Sequence, residues 1–341
     1  MLEDGSEFLG VSFGAKKSIA GEVVFATGMV GYPEALTDPS FFGQILVLTY
    51  PLIGSYGVPD SSLWESKKIQ VAGLVVCGYI ETPSHHESRM TLGQWLKKMR
   101  VPALTIEDTR GLTEKLRENG VMLGKLALSP NSLKLSDPNL RNLVAEVSTK
   151  KVLSFGEGQR TIAILDCGVK QNIIRRLVNR GHKVMVFPWD TDITKLKINI
   201  NAVVISNGPG DPVKIKKTIS NVKKIIDKKI PTFGICLGNQ VLALALGGTT
   251  YKLKFGHRSQ NQPVVLSGQK KCYLTTQNHG FAVKKIPKGF QEWFYNANDK
   301  TNEGIIHKNL PFMSVQFHPE SFPGPLDTDW LFDFFLKKAN L

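Results

Sequence analysis

A cysteine between two glycines is the strongest candidate for a catalytic residue. It lies in the segment Gly234-Ile235-Cys236-Leu237-Gly238, where an apolar run predicts a strand and the next residues predict a helix. A nucleophile on such a tight turn needs small residues two positions before and after it, because its side chain must stand clear of the sheet. The N-terminus of the following helix favours the thiolate. A cysteine that ends a core strand is more often a small apolar residue, but the flanking glycines favour the nucleophile.

A thiolate nucleophile needs a base, and His318 has a carboxylate two residues after it. The segment is Gln316-Phe317-His318-Pro319-Glu320, at the end of a predicted strand. Residues i and i+2 project to the same side of a strand, so Glu320 can hold the imidazole. We therefore predict a triad of Cys236, His318 and Glu320. A turn without catalytic meaning is the alternative for the histidine motif.

Three further polar segments carry weaker signals. The loop 206–212 has glycines that expose backbone N–H groups, which suits a phosphate or a developing oxyanion, although it matches neither a P-loop nor a dinucleotide fingerprint. The segment 277–281 predicts only a turn. His85, His86 and Glu87 lie in a polar loop without the spacing that would converge them on a metal, so we predict no metal site.

The elements that position these residues follow from hydrophobic patterning. The second half alternates apolar runs with amphipathic stretches, which predicts a mostly parallel α/β sheet. The predicted strands are 161–166, 183–189, 202–206 and 231–235, and the predicted helices are 169–180, 214–228 and 241–246. Shorter strands follow at 251–255, 264–266, 271–276, 291–296 and 312–317, before a closing helix at 328–338.

The first half contains short strand-like runs separated by glycine and proline. We expect strands at 21–25, 44–49 and 69–77 and a helix at 112–119, in a smaller β-rich α+β domain. The polar, glycine-containing stretch 154–160 is the predicted linker. The sequence thus predicts domains at 1–153 and 161–341.

Composition excludes several classes of protein. A chain of 341 residues with 42% hydrophobic and 21% charged residues is typical of globular proteins and too apolar for wholesale disorder. Its apolar runs fall short of the ~20 residues that span a bilayer, and its first residues do not resemble a signal peptide, so we expect a cytoplasmic location. Four cysteines without Cys-x-x-Cys spacing exclude a disulfide framework. The net charge of +14 arises entirely within residues 156–341.

Taken together, the cysteine turn, the His-x-Glu motif and the Asn-Gly-Pro-Gly-Asp-Pro loop resemble the class I glutamine amidotransferase family. The N-terminal half resembles more specifically the small, glutamine-hydrolysing subunits of carbamoyl phosphate synthetases. The matching segments are Leu2-Glu3-Asp4-Gly5, Gly21-Glu22-Val23-Val24-Phe25, Gly31-Tyr32-Pro33-Glu34, Leu36-Thr37-Asp38-Pro39-Ser40, Leu48-Thr49-Tyr50-Pro51-Leu52-Ile53-Gly54, Asp108-Thr109-Arg110 and Leu112-Thr113.

The resemblance implies a role for each matching residue. Cys236 would attack the side-chain amide of glutamine, His318 would act as base and then acid, and Glu320 would orient the imidazole. Backbone N–H groups of Gly208 and Leu237 would form the oxyanion hole. The implied glutamine contacts are Ser40, Gly208, Gly210, Leu237, Gln240, Asn278, Gly280 and Phe281. Ser40 implies that the N-terminal domain closes over the glutamine pocket.

The resemblance also implies a partner. No cofactor is expected in this chain; a large subunit would use ATP, Mg and bicarbonate to make carbamoyl phosphate for arginine and pyrimidine synthesis, in a heterodimer. Some relatives have lost the cysteine and use free ammonia, whereas Cys236 is present. Asn239 stands where the family usually has histidine, and Ser259 and Gln260 replace the usual small residues, so we expect a loop of different shape there.

Two other functions remain open on the sequence. A stand-alone cysteine amidohydrolase would need no partner, but it would leave the N-terminal domain without a task. A basic nucleic-acid-binding protein is suggested by the net charge and the isoelectric point near 9.5. Its lysines lie on predicted helices without interleaved aromatic residues, so solvated helix faces explain them better.

Overall fold

The chain folds into two compact units. A computed structural model describes residues 1–129 and 133–341. The N-terminal unit comprises Met1–Leu140 and Lys254–Ser259, and the C-terminal unit comprises Arg141–Leu253 and Gln260–Leu341.

This division differs from the predicted boundary at 154–160. Leu153–Phe155 forms a strand that pairs antiparallel with Lys183–Pro188. Val144 lies in the same apolar cluster as Ile205. The stretch before the predicted linker therefore belongs to the C-terminal unit, because its backbone hydrogen bonds and apolar side chains are satisfied there.

The N-terminal unit is built on a sheet in the order β1-β5-β4-β3-β2-β6. Strands β5, β4, β3 and β2 run parallel, while β1 and β6 pair antiparallel at the edges. The bounds in the described residues are β1 (Gly10–Ser12), β2 (Ile19–Ala26), β3 (Gln44–Ile53), β4 (Gly73–Tyr79), β5 (Ala103–Ile106), β6 (Met122–Leu126), α1 (Tyr32–Thr37), α2 (Leu92–Lys98) and α3 (Thr109–Asn119).

Both faces of this sheet are buried, which explains its near-continuous apolar strands. Val24 and Leu46 pack with Trp95 of α2 on one face. Val23 and Ile45 pack with Leu116 of α3 on the other. Since successive strand residues point to opposite faces, each apolar run serves two cores.

The C-terminal unit carries a mixed sheet in the order β13-β12-β14-β15-β16-β11-β10-β8-β9-β7. Its parallel centre consists of β16, β11, β10, β8 and β9, and antiparallel strands extend it on both sides. The bounds are β7 (Leu153–Phe155), β8 (Thr161–Asp166), β9 (Lys183–Pro188), β10 (Ala202–Ile205), β11 (Thr232–Ile235), β12 (Thr249–Leu266), β13 (Cys272–Lys285), β14 (Phe290–Asn296), β15 (Asn302–His307), β16 (Phe312–Val315), α4 (Leu143–Val147), α5 (Gln171–Val178), α6 (Lys216–Asp227), α7 (Leu237–Ala245) and α8 (Trp330–Lys338).

The predicted fold class is confirmed: an α/β C-terminal unit with a cysteine turn accompanies a β-rich N-terminal unit. The central strands and helices of the C-terminal unit lie within a few residues of their predicted positions. No helix in residues 1–129 and 133–341 is long and apolar enough to cross a bilayer.

The antiparallel part of the sheet was predicted less well. The separate strands at 251–255 and 264–266 are one strand, β12, so Ser259 and Gln260 lie in a strand and the loop predicted there is wrong. Strand β13 continues well beyond 276, and β15 was not predicted. Polar residues in these strands interrupt the apolar alternation, and backbone pairing with neighbours maintains the strands instead.

Candidate active site

Cys236 occupies a strained turn between β11 and α7. Its φ of 56° and ψ of −103° are unusual for a residue with a side chain. A Cβ at Gly234 would lie 2.5 Å from the carbonyl oxygen of Gly238, and one at Gly238 would lie 2.1 Å from that of Ile205. Only glycine fits at either position, so the spacing of the motif has a direct steric cause. The predicted helix at 241–246 in fact begins at Leu237, immediately after the cysteine.

The pairing of β11 with β16 brings the histidine motif to the cysteine. The two strands run parallel with Ile235 opposite Val315, and the backbone N–H of Cys236 donates to the carbonyl oxygen of Val315 at 2.8 Å. The segments that follow β11 and β16 leave the sheet at the same edge. Ligand-binding and active sites form at this edge, beyond the carboxyl ends of parallel strands. The backbone of His318 is then held by a hydrogen bond from its N–H to the carbonyl oxygen of Thr276 at 2.9 Å.

His318 and Glu320 form a buried pair. Nδ1 of His318 lies 2.6 Å from Oε1 of Glu320, and both side chains are almost completely inaccessible to solvent. Burial alone would lower the pKa of His318, but the charge of Glu320 and the proximity of Cys236 raise it above its ordinary value. Burial alone would raise the pKa of Glu320, but the charges of His318 and Lys170 lower it. The pair therefore favours an imidazolium beside a carboxylate.

Lys170 supports this pair, and the sequence patterns assigned it no role. Its Nζ lies 3.2 Å from Oε1 of Glu320 and donates to the carbonyl oxygen of Ser321 at 2.7 Å. Its backbone N–H donates to Oδ1 of Asn207 at 3.1 Å, which connects the triad to the loop 206–212. Lysine normally lies at the surface, so its residue type gave no signal; only its place at the carboxyl end of β8 could have suggested a role.

The loop 206–212 brings the two predicted oxyanion-hole residues close together. A Cβ at Gly208 would lie 2.0 Å from the carbonyl oxygen of Cys167 and 3.0 Å from Cδ2 of Leu237. Gly210 has a φ of 82° and lies against Leu143. The N-terminus of α7 has no side-chain cap among the described residues, so its first N–H groups can serve an oxyanion.

Most of the residues predicted to contact glutamine gather around the cysteine. Nε2 of Gln240 donates to the carbonyl oxygen of Phe281 at 2.8 Å. Sγ of Cys236 lies 3.6 Å from the carbonyl oxygen of Asn278. Gly280 lies between Asn278 and Phe281 on β13. The segment 277–281, which the sequence predicted as a turn, is therefore part of a strand beside the nucleophile.

Ser40 lies in the N-terminal unit. It is buried in a short 3-10 helix, Pro39–Phe41, where its backbone N–H donates to the Asp38 carboxylate at 2.8 Å. Its contact with glutamine remains a prediction.

The remaining histidines and cysteines that the sequence analysis considered are not part of the triad. His85, His86 and Glu87 are exposed, and in residues 1–129 and 133–341 they form no group that could hold a metal. All four cysteines are free thiols, and Cys77 and Cys272 are exposed.

The family follows from a match that covers more than half of the chain. Residues 163–338 match the model of "Glutamine amidotransferase class-I". The chain belongs to the class-I glutamine amidotransferase family. Residues 1–126 match a second model, "Carbamoyl-phosphate synthase small chain, CPSase domain". The amidotransferase match contains the cysteine turn, the histidine motif and the loop 206–212.

This amidotransferase spans less than a quarter of the length of two curated relatives that it matches. "Multifunctional protein CAD" of Squalus acanthias is 51% identical over 99% of the chain, which corresponds to 16% of that protein. "Carbamoyl-phosphate synthase [ammonia], mitochondrial" of Homo sapiens is 47% identical over 98% of the chain and 23% of its own length. Among solved structures, a "putative gmp synthase subunit a protein" from Thermoplasma acidophilum has a TM-score of 0.48 and 24% identity, and the match covers 54% of the chain and 96% of that protein. The two family models and the two long relatives favour neither a nucleic-acid-binding protein nor a stand-alone hydrolase.

Proposed function

We propose that this protein hydrolyses glutamine to glutamate and ammonia. The observation that carries the proposal is the buried pair of His318 and Glu320, 2.6 Å apart, beside a cysteine held in a strained strand-to-helix turn. Membership of the amidotransferase family supports glutamine as the substrate.

The proposed reaction has two acyl-transfer steps. The Cys236 thiolate attacks the side-chain carbonyl carbon of glutamine, and the N–H groups of Gly208 and Leu237 stabilise the oxyanion. His318 gives its proton to the leaving nitrogen, so the C–N bond breaks, ammonia leaves and a glutamyl thioester remains. His318 then takes a proton from water, which attacks the thioester and releases glutamate. Glu320 keeps Nδ1 protonated, so that Nε2 exchanges the proton.

We further propose that the ammonia supplies carbamoyl phosphate synthesis. The match of residues 1–126 to a carbamoyl-phosphate synthase small chain supports this, as do the names of the long relatives. A large subunit would bind ATP, Mg and bicarbonate and form a heterodimer with this chain, and its product would serve arginine or pyrimidine synthesis. Ammonia must reach the large subunit by a path that excludes bulk water, because ammonium, its main form in neutral water, is a poor nucleophile. A cytoplasmic location is part of the proposal.

The test is to substitute the nucleophile in the assembled enzyme. Cys236→Ala should reduce glutamine-dependent carbamoyl phosphate synthesis by about 10⁴-fold or more while leaving synthesis from added ammonia intact. Cys272→Ala is the matched control, because it removes an exposed thiol. Glutamine-dependent synthesis that survives Cys236→Ala would refute the role of Cys236. A stand-alone amidohydrolase would be favoured by two results together: full glutaminase activity of this chain without any partner, and no effect of Cys236→Ala on carbamoyl phosphate synthesis.

A further inference from the structure

Gln316 contacts the sulfur of Cys236, and neither the triad nor the predicted glutamine contacts include it. It follows β16 directly, and its side chain is completely buried. Its Nε2 lies 3.7 Å from Sγ of Cys236, a distance typical of an N–H···S hydrogen bond. Buried amides need partners for their donors and acceptors, so the contact calls for an explanation.

The orientation of this amide follows from a backbone carbonyl. Nε2 of Gln240 donates to the carbonyl oxygen of Phe281, which can only accept. The same nitrogen lies 3.1 Å from the Gln316 side chain, so the atom of Gln316 that faces it must be the oxygen. The nitrogen of Gln316 must then face the sulfur. The assignment follows because a backbone carbonyl, unlike a side-chain amide, has no alternative orientation in which it could donate.

Asn239 holds the same oxygen from a second direction. Its Nδ2 lies 3.3 Å from Oε1 of Gln316, and its Oδ1 accepts a hydrogen bond from Oγ of Ser314 at 2.8 Å. All three side chains are fully buried. Asn239, where the resemblance implies histidine, therefore contacts the residue that contacts the sulfur.

Asn278 and Gln316 favour opposite protonation states of the sulfur. The carbonyl oxygen of Asn278 can only accept, so it stabilises the thiol. The N–H of Gln316 can only donate, so it stabilises the negative charge of a thiolate. Since the site is buried, a single donor of fixed orientation has a larger effect than it would have in water.

We propose that Gln316 is the hydrogen-bond donor that stabilises the Cys236 thiolate, and that Gln240 and Asn239 are positioning residues that hold its amide in the donating orientation. The inference rests on the proposed function in that Cys236 is the nucleophile. The order of contacts, from Phe281 through Gln240 and Gln316 to the sulfur, also joins the predicted glutamine pocket to the thiolate.

The test titrates the thiolate without using glutamine. Thiolate ultraviolet absorption of the full chain is followed against pH, and the same protein with Cys236→Ser is subtracted to remove the other thiols. Gln316→Glu replaces the donor with a negative oxygen of the same size and should move the midpoint upward by about one pH unit or more. Gln316→Met removes the donor without adding charge and should move it upward by less. Gln291→Glu, the same change at an exposed position, should leave it in place.

Each result bears on the proposal. Upward shifts in both Gln316 variants, with unchanged circular dichroism, would support it. An unchanged midpoint in either folded variant would overturn it and leave Gln316 as a packing residue only. If Gln316→Glu does not fold, Gln316→Met decides the question. If both variants show these shifts but the wild-type protein does not hydrolyse glutamine, the proposed function is refuted and this inference stands.

Discussion

Most helices of the N-terminal unit begin with a side-chain cap, and most helices of the C-terminal unit begin without one. In the N-terminal unit, α2 starts with a capping box in which Thr91 and Gln94 exchange hydrogen bonds, and α3 starts with a hydrogen bond from the N–H of Gly111 to the Asp108 carboxylate. In the described part of the C-terminal unit, α5, α6, α7 and α8 start without a side-chain cap. Two helices depart from this pattern: α1 of the N-terminal unit has no side-chain cap, and α4 of the C-terminal unit is capped by Asn142. A cap satisfies the free N–H groups of a first turn, whereas an uncapped turn leaves them for water or a ligand.

A missing cap alone does not make a site, since α6 and α8 lack one too. What distinguishes α7 is the strained cysteine before it, held by the close approach of Gly238 to Ile205. In the N-terminal unit, residues next to α2 and α3 stabilise the starts of these two helices, whereas in the C-terminal unit the packing of strands holds an unfavourable turn at Cys236. Substitutions at the C-terminal site should therefore cost activity, and those at N-terminal caps should cost stability.

Among variants that keep the Cys236 thiol, we expect the largest effect from Glu320→Gln. The loss of the carboxylate should lower the rate of glutamine hydrolysis by about 10²- to 10⁴-fold, because the imidazole loses its orientation and the stabilisation of its charge. Glu157→Gln, the same change at an exposed position, is the control. Full activity in Glu320→Gln would contradict the triad.

The same variant has a predictable pH dependence of stability. The pKa of Glu320 is lowered from 4.5, so its contribution is present above that value and is lost as the pH falls through the lowered pKa. The pKa of His318 is raised from 6.5, so its contribution is present below that value and is lost as the pH rises through the raised pKa. The free energy of unfolding in urea should therefore differ most between wild type and variant at pH 4.5 to 6.5. A difference that grows toward alkaline pH would contradict the assigned charges.

A smaller effect is expected from Gly208→Ala. The added Cβ would meet the carbonyl oxygen of Cys167 at 2.0 Å, so the loop must move and the predicted oxyanion donor moves with it. We expect a loss of about 10²-fold in kcat. Gly181→Ala is the matched control, since open space surrounds it and its positive φ should cost stability only. Equal effects on kcat in both variants would show that the loss comes from stability.

Ser40→Ala tests whether the N-terminal unit contributes to the pocket. If Ser40 contacts glutamine, KM should rise by about 10-fold, as the loss of one hydrogen bond implies. Ser62→Ala is a close control, because the backbone N–H of Ser62 also donates to the carboxylate two residues before it. An unchanged KM in Ser40→Ala would confine the glutamine contacts to the C-terminal unit.

Thr91→Ala should have the smallest effect on catalysis. Removal of the capping hydroxyl should lower the free energy of unfolding by about 1 kcal/mol, and kcat and KM should stay unchanged. Thr82→Ala, at an exposed position, should change neither. A change in KM for Thr91→Ala would contradict the comparison, in which the N-terminus of α2 contributes only to stability and that of α7 contributes to catalysis.

Local signals in the sequence were sufficient for much of the site. The glycines around Cys236 and the two-residue step from His318 to Glu320 each reflect geometry within a few residues. The sequence did not predict the roles of Lys170 and Gln316, because nothing in the local pattern around a lysine or a glutamine indicates that its side chain is buried. The full length of strand β12 was not predicted, because its polar residues interrupt the alternation of apolar side chains by which strands are recognised.

The amino-acid order was enough to specify the cysteine turn, since only glycine at 234 and 238 permits the close backbone contacts found there. It also specified which side chains could act as nucleophile, base and orienting acid. That these groups meet depends on the folded chain, because the parallel register of β11 and β16 joins segments 80 residues apart. The same register sets which way the amide of Gln316 faces, since its hydrogen-bond partners come from α7 and, through Gln240, from β13. Such pairings depend on contacts remote in sequence, which no local pattern encodes.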